Sequence, residues 1–464
     1  MRDGVQLIAY ADRFGGTLPA LGRLLTGPLA GLFTGVHVLP FYRPHDGADA
    51  GFDPDDHLSV DPRMGGWDDV RKLGAAFDVT ADLIVNHVSD RSAAFRDVVA
   101  RGDRSPCAGM FLTFDRVFPS GATEADLVRI TRPRPGLPFT PVLLGGRKRL
   151  AWTTFTPHQI DLDVRDPAAR AYLSDVLRCL ASNAVTTVRL DAVGYAVKTP
   201  GTTCFLTPDT LSFATELAAE ARRLGLRVLA EVHAPTHSDT ATAAVVDQVY
   251  DFTLAPAILH AVSTGDGEPL REWLRTRPDH PVTVLETHDG IGLVDAVGLL
   301  SGVQIAALEE WIRHNSGGAS RMSSMPDGTP YQISCTAYDA VGRDDRRYLL
   351  ARALHLFVPG TPQVYYVGLL AGRNTTGTHT DAREINRRSY TEADVPAAMR
   401  RPVVRRLTRL ISLRTTHPAF RGEFTVDERA GDELVLAWRA GEARVELRVR
   451  LAEPSFRVRS TPPA

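Results

Sequence analysis

Residues 185–198 read VTTVRLDAVGYAVK, and the fold turns on how they are read. The run opens as an apolar, β-branched strand of the kind covered on both faces of a sheet. Arg189 and Asp191 follow two residues apart, so period-two alternation sends both side chains to one face. Buried Arg and Asp are tolerated mainly as partners of one another. A charge pair that closes an apolar strand therefore needs a use at that strand's end.

Seven more short apolar runs share this β-rich character: residues 5–10, 35–41, 81–88, 227–233, 248–254, 281–288 and 361–368. Helical periodicity fills several of the gaps. In 167–183, Leu173, Val176 and Leu180 recur at helical spacing behind Asp166 and Pro167, which read as an N-cap and a first-turn proline. Residues 208–224 and 346–357 predict two further helices. Strands alternating with helices imply a parallel sheet, and eight strands favour a closed (β/α)8 TIM barrel.

Two long interruptions break this rhythm. Their positions divide the chain into barrel residues 1–87, an inserted subdomain B over 88–165, barrel residues 166–290, a second insertion over 291–345, and barrel residues 346–415. Beyond residue 416 apolar and polar residues alternate around turn signals, which predicts a small antiparallel β domain over 416–464.

Bulk properties narrow the function. A formal charge of −2 over 464 residues gives no electrostatic case for nucleic acid or an anionic membrane as partner. The chain has four cysteines, none in a C-x-x-C pair, which points to a reducing, cytoplasmic setting and away from a zinc site or disulfide framework. No apolar run is long enough for a signal peptide or a membrane span.

In such a barrel the active site lies at the C-terminal ends of the strands. The polar residues there are Asn86 and His87, Arg189 and Asp191, Glu231 and His233, then His288 and Asp289. Any one of them could be a helix cap, a salt-bridge partner or a satisfied structural histidine. Three carboxylates converging on one rim would repel each other, which suits a site that handles developing positive charge. Glycosidic bond chemistry needs such a site: one carboxylate attacks the oxocarbenium-like centre and a protonated carboxyl assists the leaving group. Arg189 would keep Asp191 ionised, and Glu231, closing an apolar strand, suits the acid.

The motifs DLIVNH (82–87), VRLDAV (188–193), AEVH (230–233) and ETHD (286–289), in that order, resemble the α-amylase superfamily of retaining glycosidases. Within it, LPFYRPHDGADAGFDPDDH (39–57), RPRPGLPFT (132–140), RLDAVGYAVKTPGTTCF (189–205), THDGIG (287–292) and PGTPQVYYVGLLAG (359–372) are similar to the sucrose phosphorylase family. That resemblance implies Asp191 as nucleophile, Glu231 as general acid and base, and Asp289 as transition-state stabiliser. It implies Asp49, Phe52, His87, Phe155, Arg189, His288 and Arg387 in a glucose subsite, with His233 also binding substrate. Phe52 and Phe155 offer flat apolar faces to a sugar, although core packing would explain them equally well. A phosphate dianion entering among three carboxylates needs a cation, and the resemblance supplies Arg134, with Tyr331 and Gln332 on the acceptor side.

The implied reaction is retaining phosphorolysis of sucrose to α-glucose 1-phosphate and fructose through a covalent glucosyl-enzyme, with transglucosylation alongside. The sequence departs from the family at Thr131, at Ala234-Pro235-Thr236-His237 and at Gly328-Thr329-Pro330, all on the acceptor side. This leaves open a phosphorylase with another leaving group (glucosylglycerol, glucosylglycerate or a sucrose phosphate), a hydrolase or transglucosidase, and a catalytically dead barrel. The resemblance also implies a homodimer. No cofactor is expected. Many amylases hold calcium beside the asparagine equivalent to Asn86, but no carboxylate cluster surrounds Asn86 in the sequence, so no metal is expected there.

Overall fold

The computed structural model describes residues 3–45, 50–133, 136–236, 240–376, 382–427 and 433–461. Eight parallel strands close a barrel: β1 (Gln6–Ala9), β2 (Gly35–Val38), β3 (Asp78–Ile84), β4 (Val185–Asp191), β5 (Arg227–Ala230), β6 (Gln248–Asp251), β7 (Val282–Thr283) and β8 (Thr361–Tyr365), with β8 pairing back to β1. The TIM-barrel expectation is met. The strands end earlier than the apolar runs do, because the chain keeps its apolar character as it leaves the sheet. Apolar 281–288 pairs only over Val282–Thr283, and Glu231, His233, His288 and Asp289 lie on the loops just past their strands.

Register across β3, β4 and β5 sets the site. Arg189 lies opposite Asp82 on one side and Leu229 on the other. Val188 and Leu190 are fully buried against the rest of the core, while Arg189 and Asp191 alternate to the other face. Directly after Asp191, Ala192 takes a left-handed conformation with φ of 53°. That strain costs an alanine about 1–2 kcal/mol, and the tight turn it permits takes the chain away from the rim.

Helix α1 (Pro167–Ser182) feeds β4. Asp166 accepts a 2.8 Å hydrogen bond from the Ala168 N–H, with Pro167 in the first turn. Helices α2 (Pro208–Arg223) and α3 (Asp345–Phe357) match the other two predicted spans to within a residue at each end.

Between β3 and β4 the chain builds a hairpin, Phe139–Leu144 with Arg147–Trp152, over an aromatic cluster of Phe114, Phe118, Phe139 and Trp152. This segment is tied to the barrel by an antiparallel pair, His87–Ser89 with Gln159–Asp161. Buried Lys198 adds a second tie: its Nζ donates to Asn86 Oδ1 and pairs with Asp161 Oδ2, both at 2.7 Å. The Asn86 side-chain oxygen thus already serves the Lys198 ammonium.

Between β7 and β8 stand a helix, Gly302–Asn315, and a three-stranded sheet of Ile291–Gly292, Arg321–Ser324 and Pro330–Ser334. The chain closes with the expected antiparallel sheet of four strands: β9 (Glu423–Asp427), β10 (Glu433–Ala440), β11 (Ala443–Arg450) and β12 (Ser455–Thr461). Leu434, Leu436 and Trp438 alternate inward on β10, and the Trp438 indole donates to the Phe357 carbonyl at 2.6 Å, locking the sheet to α3. Among the described residues no helix is long and apolar enough to cross a membrane.

Candidate active site

A cavity of about 810 Å3 opens at the C-terminal rim of the barrel. It is lined by Phe52, His87, Phe155, Asp191, Glu231, His233, His288, Asp289, Tyr331, Gln332 and Arg387. The fold thus brings together eleven of the fourteen expected site residues. Arg189 lies directly behind the carboxylates, whereas Asp49 and Arg134 lie outside the described residues.

Arg189 is the electrostatic centre. Its Nη1 donates to Asp191 Oδ1 at 2.9 Å and also to Asp82, and its Nη2 sits 2.6 Å from Glu231 Oε1. One guanidinium reaching two carboxylates limits how far apart they can stand.

Arg189 favours the ionised form of Asp191, but it does not act alone. Burial, and then the neighbouring Glu231 carboxylate, push the Asp191 carboxyl well above its ordinary range, with Arg189 pulling against them. Arg189 is shared among three acids, so it cannot fully neutralise any one. A like charge so placed opposes ionisation of Asp191.

Asp82 is the partner that the strand-end reading missed. It lies within the quoted DLIVNH motif but deep in the barrel, where only the register of β3 against β4 reveals its contact. Its Oδ2 accepts from His37 Nε2 at 3.0 Å, and its carbonyl accepts from Tyr42 at 2.5 Å. Burial acts to raise the Asp82 carboxyl, but Arg189 and His37 outweigh it and hold it at about 2. A depressed carboxyl contributes stability that is full above its unfolded value of about 3.9 and is lost as pH falls through about 2. Asp82→Asn is therefore expected to destabilise the fold by about 3 kcal/mol at pH 7, by taking the carboxylate away from buried His37 and one of three from Arg189. Denaturant unfolding reads this directly, and superimposable curves at pH 7 would remove Asp82 from the network.

Asp289 faces the site from the loop after β7. Its Oδ2 lies 3.1 Å from His288 Nε2, and its Oδ1 lies 3.3 Å from Arg387 Nη2. Arg387 also donates from Nε to the His288 carbonyl at 2.9 Å, fixing the loop. Burial, then Arg387 and Arg189, push His288 well below the usual histidine range, so it acts as a neutral hydrogen-bonding group. Its ring stacks on Phe52 at 4.7 Å with 6° between planes, and the Arg189 guanidinium lies 5.5 Å from the same phenyl centroid. Phe52 is therefore clamped by its neighbours while still bordering the cavity. Phe155 sits between His87 and Tyr195, at 5.3 and 5.4 Å.

The THDGIG motif has a steric basis. Gly290 has φ of +102°, and a Cβ there would lie 2.3 Å from the Ile333 carbonyl oxygen. A Cβ on Gly292 would meet Asp295 Oδ2 at 2.1 Å. Both glycines let the loop after β7 close against Pro330–Ser334, which carries Tyr331 and Gln332.

Asp295, also unforeseen, holds His233 through a 2.9 Å contact to Nδ1. Burial opposes protonation of His233, but Asp295, with help from Glu231, raises it on balance. The imidazole stacks on Phe252 at 3.9 Å, and its Nε2 faces Gln332 Nε2 at 3.4 Å and Glu231 Oε1 at 3.9 Å. Only the fold brings these groups together, 62 residues apart in sequence. Met322, Ser323, Ser324, Met325 and Pro326 complete the outer wall, just ahead of the departure at Gly328-Thr329-Pro330.

Comparison with known proteins places the chain among relatives of one kind. The family described as the alpha amylase catalytic domain matches residues 31–242. A sucrose phosphorylase of Agrobacterium vitis is 47% identical, the alignment covering 98% of this chain and 96% of that protein. A sucrose phosphorylase of Bifidobacterium adolescentis is 42% identical over 96% of this chain and 92% of its own length. The crystal structure of sucrose 6F-phosphate phosphorylase from Thermoanaerobacter thermosaccharolyticum superposes with a TM-score of 0.94 at 34% identity, covering 99% of this chain and 96% of that one.

Proposed function

The chain belongs to the sucrose phosphorylase family of the α-amylase superfamily, and from that premise we propose that it converts sucrose and inorganic phosphate to α-glucose 1-phosphate and fructose with net retention. The observation that carries this reading is the single Arg189 guanidinium joining Asp191 and Glu231 at the wall of a cavity large enough for a disaccharide.

Asp191 attacks the anomeric carbon while Glu231, as general acid, delivers its proton to the glycosidic oxygen. The C–O bond to fructose breaks as the Asp191 ester forms. Phosphate then attacks that carbon on the face fructose left, and Asp191 departs as carboxylate. Asp289, steadied by His288 and Arg387, accepts hydrogen bonds from sugar hydroxyls as positive charge develops on the ring. Phe52, His87 and Phe155 complete the glucose subsite with Asp49, and His233, Tyr331 and Gln332 face the acceptor. Other acceptor hydroxyls reaching the same ester account for transglucosylation.

Arg134 is the cation assigned to the phosphate. Pro133 and Gly136, on either side of the 134–135 dipeptide, both line the cavity. Incubation with sucrose should release fructose in step with phosphate consumption and form the α-anomer of glucose 1-phosphate. Arg134→Ala should slow phosphorolysis by about 10-fold or more while sparing hydrolysis, a charge-assisted contact contributing roughly 1.5–3 kcal/mol. Equal loss of both activities would remove Arg134 from that role, and free glucose formed at the same rate without phosphate would overturn the phosphorylase reading. Because the sequence departs from the family at Thr131, at 234–237 and at 328–330, all on the acceptor side, the acceptor panel should include fructose 6-phosphate, glycerol and glycerate beside fructose.

Four unpaired cysteines suit a cytoplasmic setting. The exposed Val128, Leu137, Leu143 and Leu150 of the first insertion supply apolar surface for a homodimer, which sedimentation would show as one species at twice the chain mass.

A further inference from the structure

Behind the glucose subsite, three residues that play no part in the reaction converge from three segments. His45 follows the short strand Tyr42–Pro44, Asp90 follows His87–Ser89, and His158 precedes Gln159–Asp161. Both histidines direct Nδ1 at the same carboxylate. His45 Nδ1 lies 3.3 Å from Asp90 Oδ1, and His158 Nδ1 lies 2.9 Å from Asp90 Oδ2. The two rings are 4.9 Å apart, tilted by 34°, and one donor atom from each of the three residues falls within 4.8 Å of the others. We propose that His45, Asp90 and His158 form a binding site for a divalent transition metal of the zinc class.

Geometry and ligand chemistry both favour this ion. Zinc holds His nitrogen and Asp oxygen at about 2.0–2.2 Å in a tetrahedron, which places neighbouring donors about 3.3 Å apart. The two nitrogen–oxygen contacts, 3.3 and 2.9 Å, are close to that spacing. The backbone is already fixed, since the Asp90 N–H donates to the His158 carbonyl and the His45 N–H to the Asp53 carbonyl, both at 2.9 Å. Two imidazoles and one carboxylate suit zinc, cobalt or nickel, whereas calcium and magnesium require oxygen donors throughout.

Asp90 Oδ1 accepts no hydrogen bond among the described residues although it is buried, so one lone pair aimed at the cluster is unspent. Ser89 Oγ, 3.0 Å from His45 Nδ1, stands beside the fourth position, which water would complete. His158 is half-exposed, giving the ion a path from solvent. Asp55 adds favourable charge, and Arg91 opposes it.

The site would act on the fold and not on the chemistry. Ser89 pairs with Gln159 across the strand pair, and Gln159 Nε2 contacts His87 Nε2 at 3.0 Å and the Phe52 carbonyl at 3.3 Å. An ion here would clip the loop after β2 to the base of the first insertion, behind Phe52 and His87. This assignment is independent of which glucoside the enzyme cleaves.

The test is metal counting on chelator-stripped full-length protein dialysed against zinc, together with the visible spectrum after cobalt addition. The wild type should retain one ion per chain. It should show a tetrahedral cobalt band without the near-ultraviolet thiolate transition that cysteine ligation produces, and it should melt several degrees higher with zinc. His158→Gln, at a half-exposed position that tolerates change, should weaken binding at least 10-fold and abolish the thermal shift, and Asp90→Asn should do the same. A wild type that retains no more zinc than His158→Gln overturns the proposal. So does a bound ion whose cobalt spectrum carries the thiolate transition, which would place it at Cys107 or Cys179.

Discussion

Replacing Asp191 with asparagine is expected to remove at least about 10^4 of the turnover rate without lowering thermal stability. The first half follows from the role proposed for Asp191. An amide nitrogen or oxygen cannot form and release a glucosyl ester, and no other carboxylate borders the cavity at that position on β4. The second half follows from burial. Burial and Glu231 raise the Asp191 carboxyl in the folded protein. A group raised in this way favours the folded state fully below its unfolded value, and that contribution is lost as pH rises through the folded one. At pH 7 an ionised Asp191 is therefore a liability that asparagine removes, while Arg189 keeps Asp82 and Glu231 as partners. The melting temperature should stay level or rise by a few degrees. A fall of several degrees would show that the Asp191–Arg189 contact holds the rim together, and residual turnover above about 1% would show that Asp191 is not the nucleophile.

The same residues show how much of the site can be read from sequence. Period-two alternation alone puts Arg189 and Asp191 on one face, and apolar runs separated by helical periodicity give the barrel. Each of these signals is local. Asp82 was in view within DLIVNH, but its tie to Arg189 depends on the register of β3 against β4, which no short stretch encodes. Asp295 reaches His233 only because Gly290 and Gly292 let the loop after β7 pack against Pro330–Ser334. The length of β7 was overread for a related reason. Val284 and Leu285 continue the apolar run past Thr283 because the loop itself is buried, so hydrophobicity alone cannot mark where pairing stops. The acceptor side was legible only through departures at Thr131, 234–237 and 328–330, while its wall at 322–326 is built from small and flexible residues with no periodic signature.

Glu231→Gln is expected to separate the two halves of the reaction. With sucrose, departure of fructose needs a proton on the glycosidic oxygen, and losing a positioned general acid should slow this step by about 10^2–10^4-fold. With α-glucosyl fluoride the leaving group departs as an anion without a proton, so the same variant should form the Asp191 ester at a rate much closer to wild type. The second half distinguishes acceptors in the same way. Phosphate dianion attacks without losing a proton, whereas fructose or water needs a base to take one. The variant should therefore turn over glucosyl fluoride with phosphate far better than with fructose or water, and the product should remain the α-anomer. Glutamine keeps the volume and a hydrogen-bonding oxygen toward Arg189 Nη2, so the pocket's shape is retained. If glucosyl fluoride and sucrose suffer equally, Glu231 is not supplying the proton. His233, 3.9 Å from the same carboxylate and raised by Asp295, is then the next group to substitute.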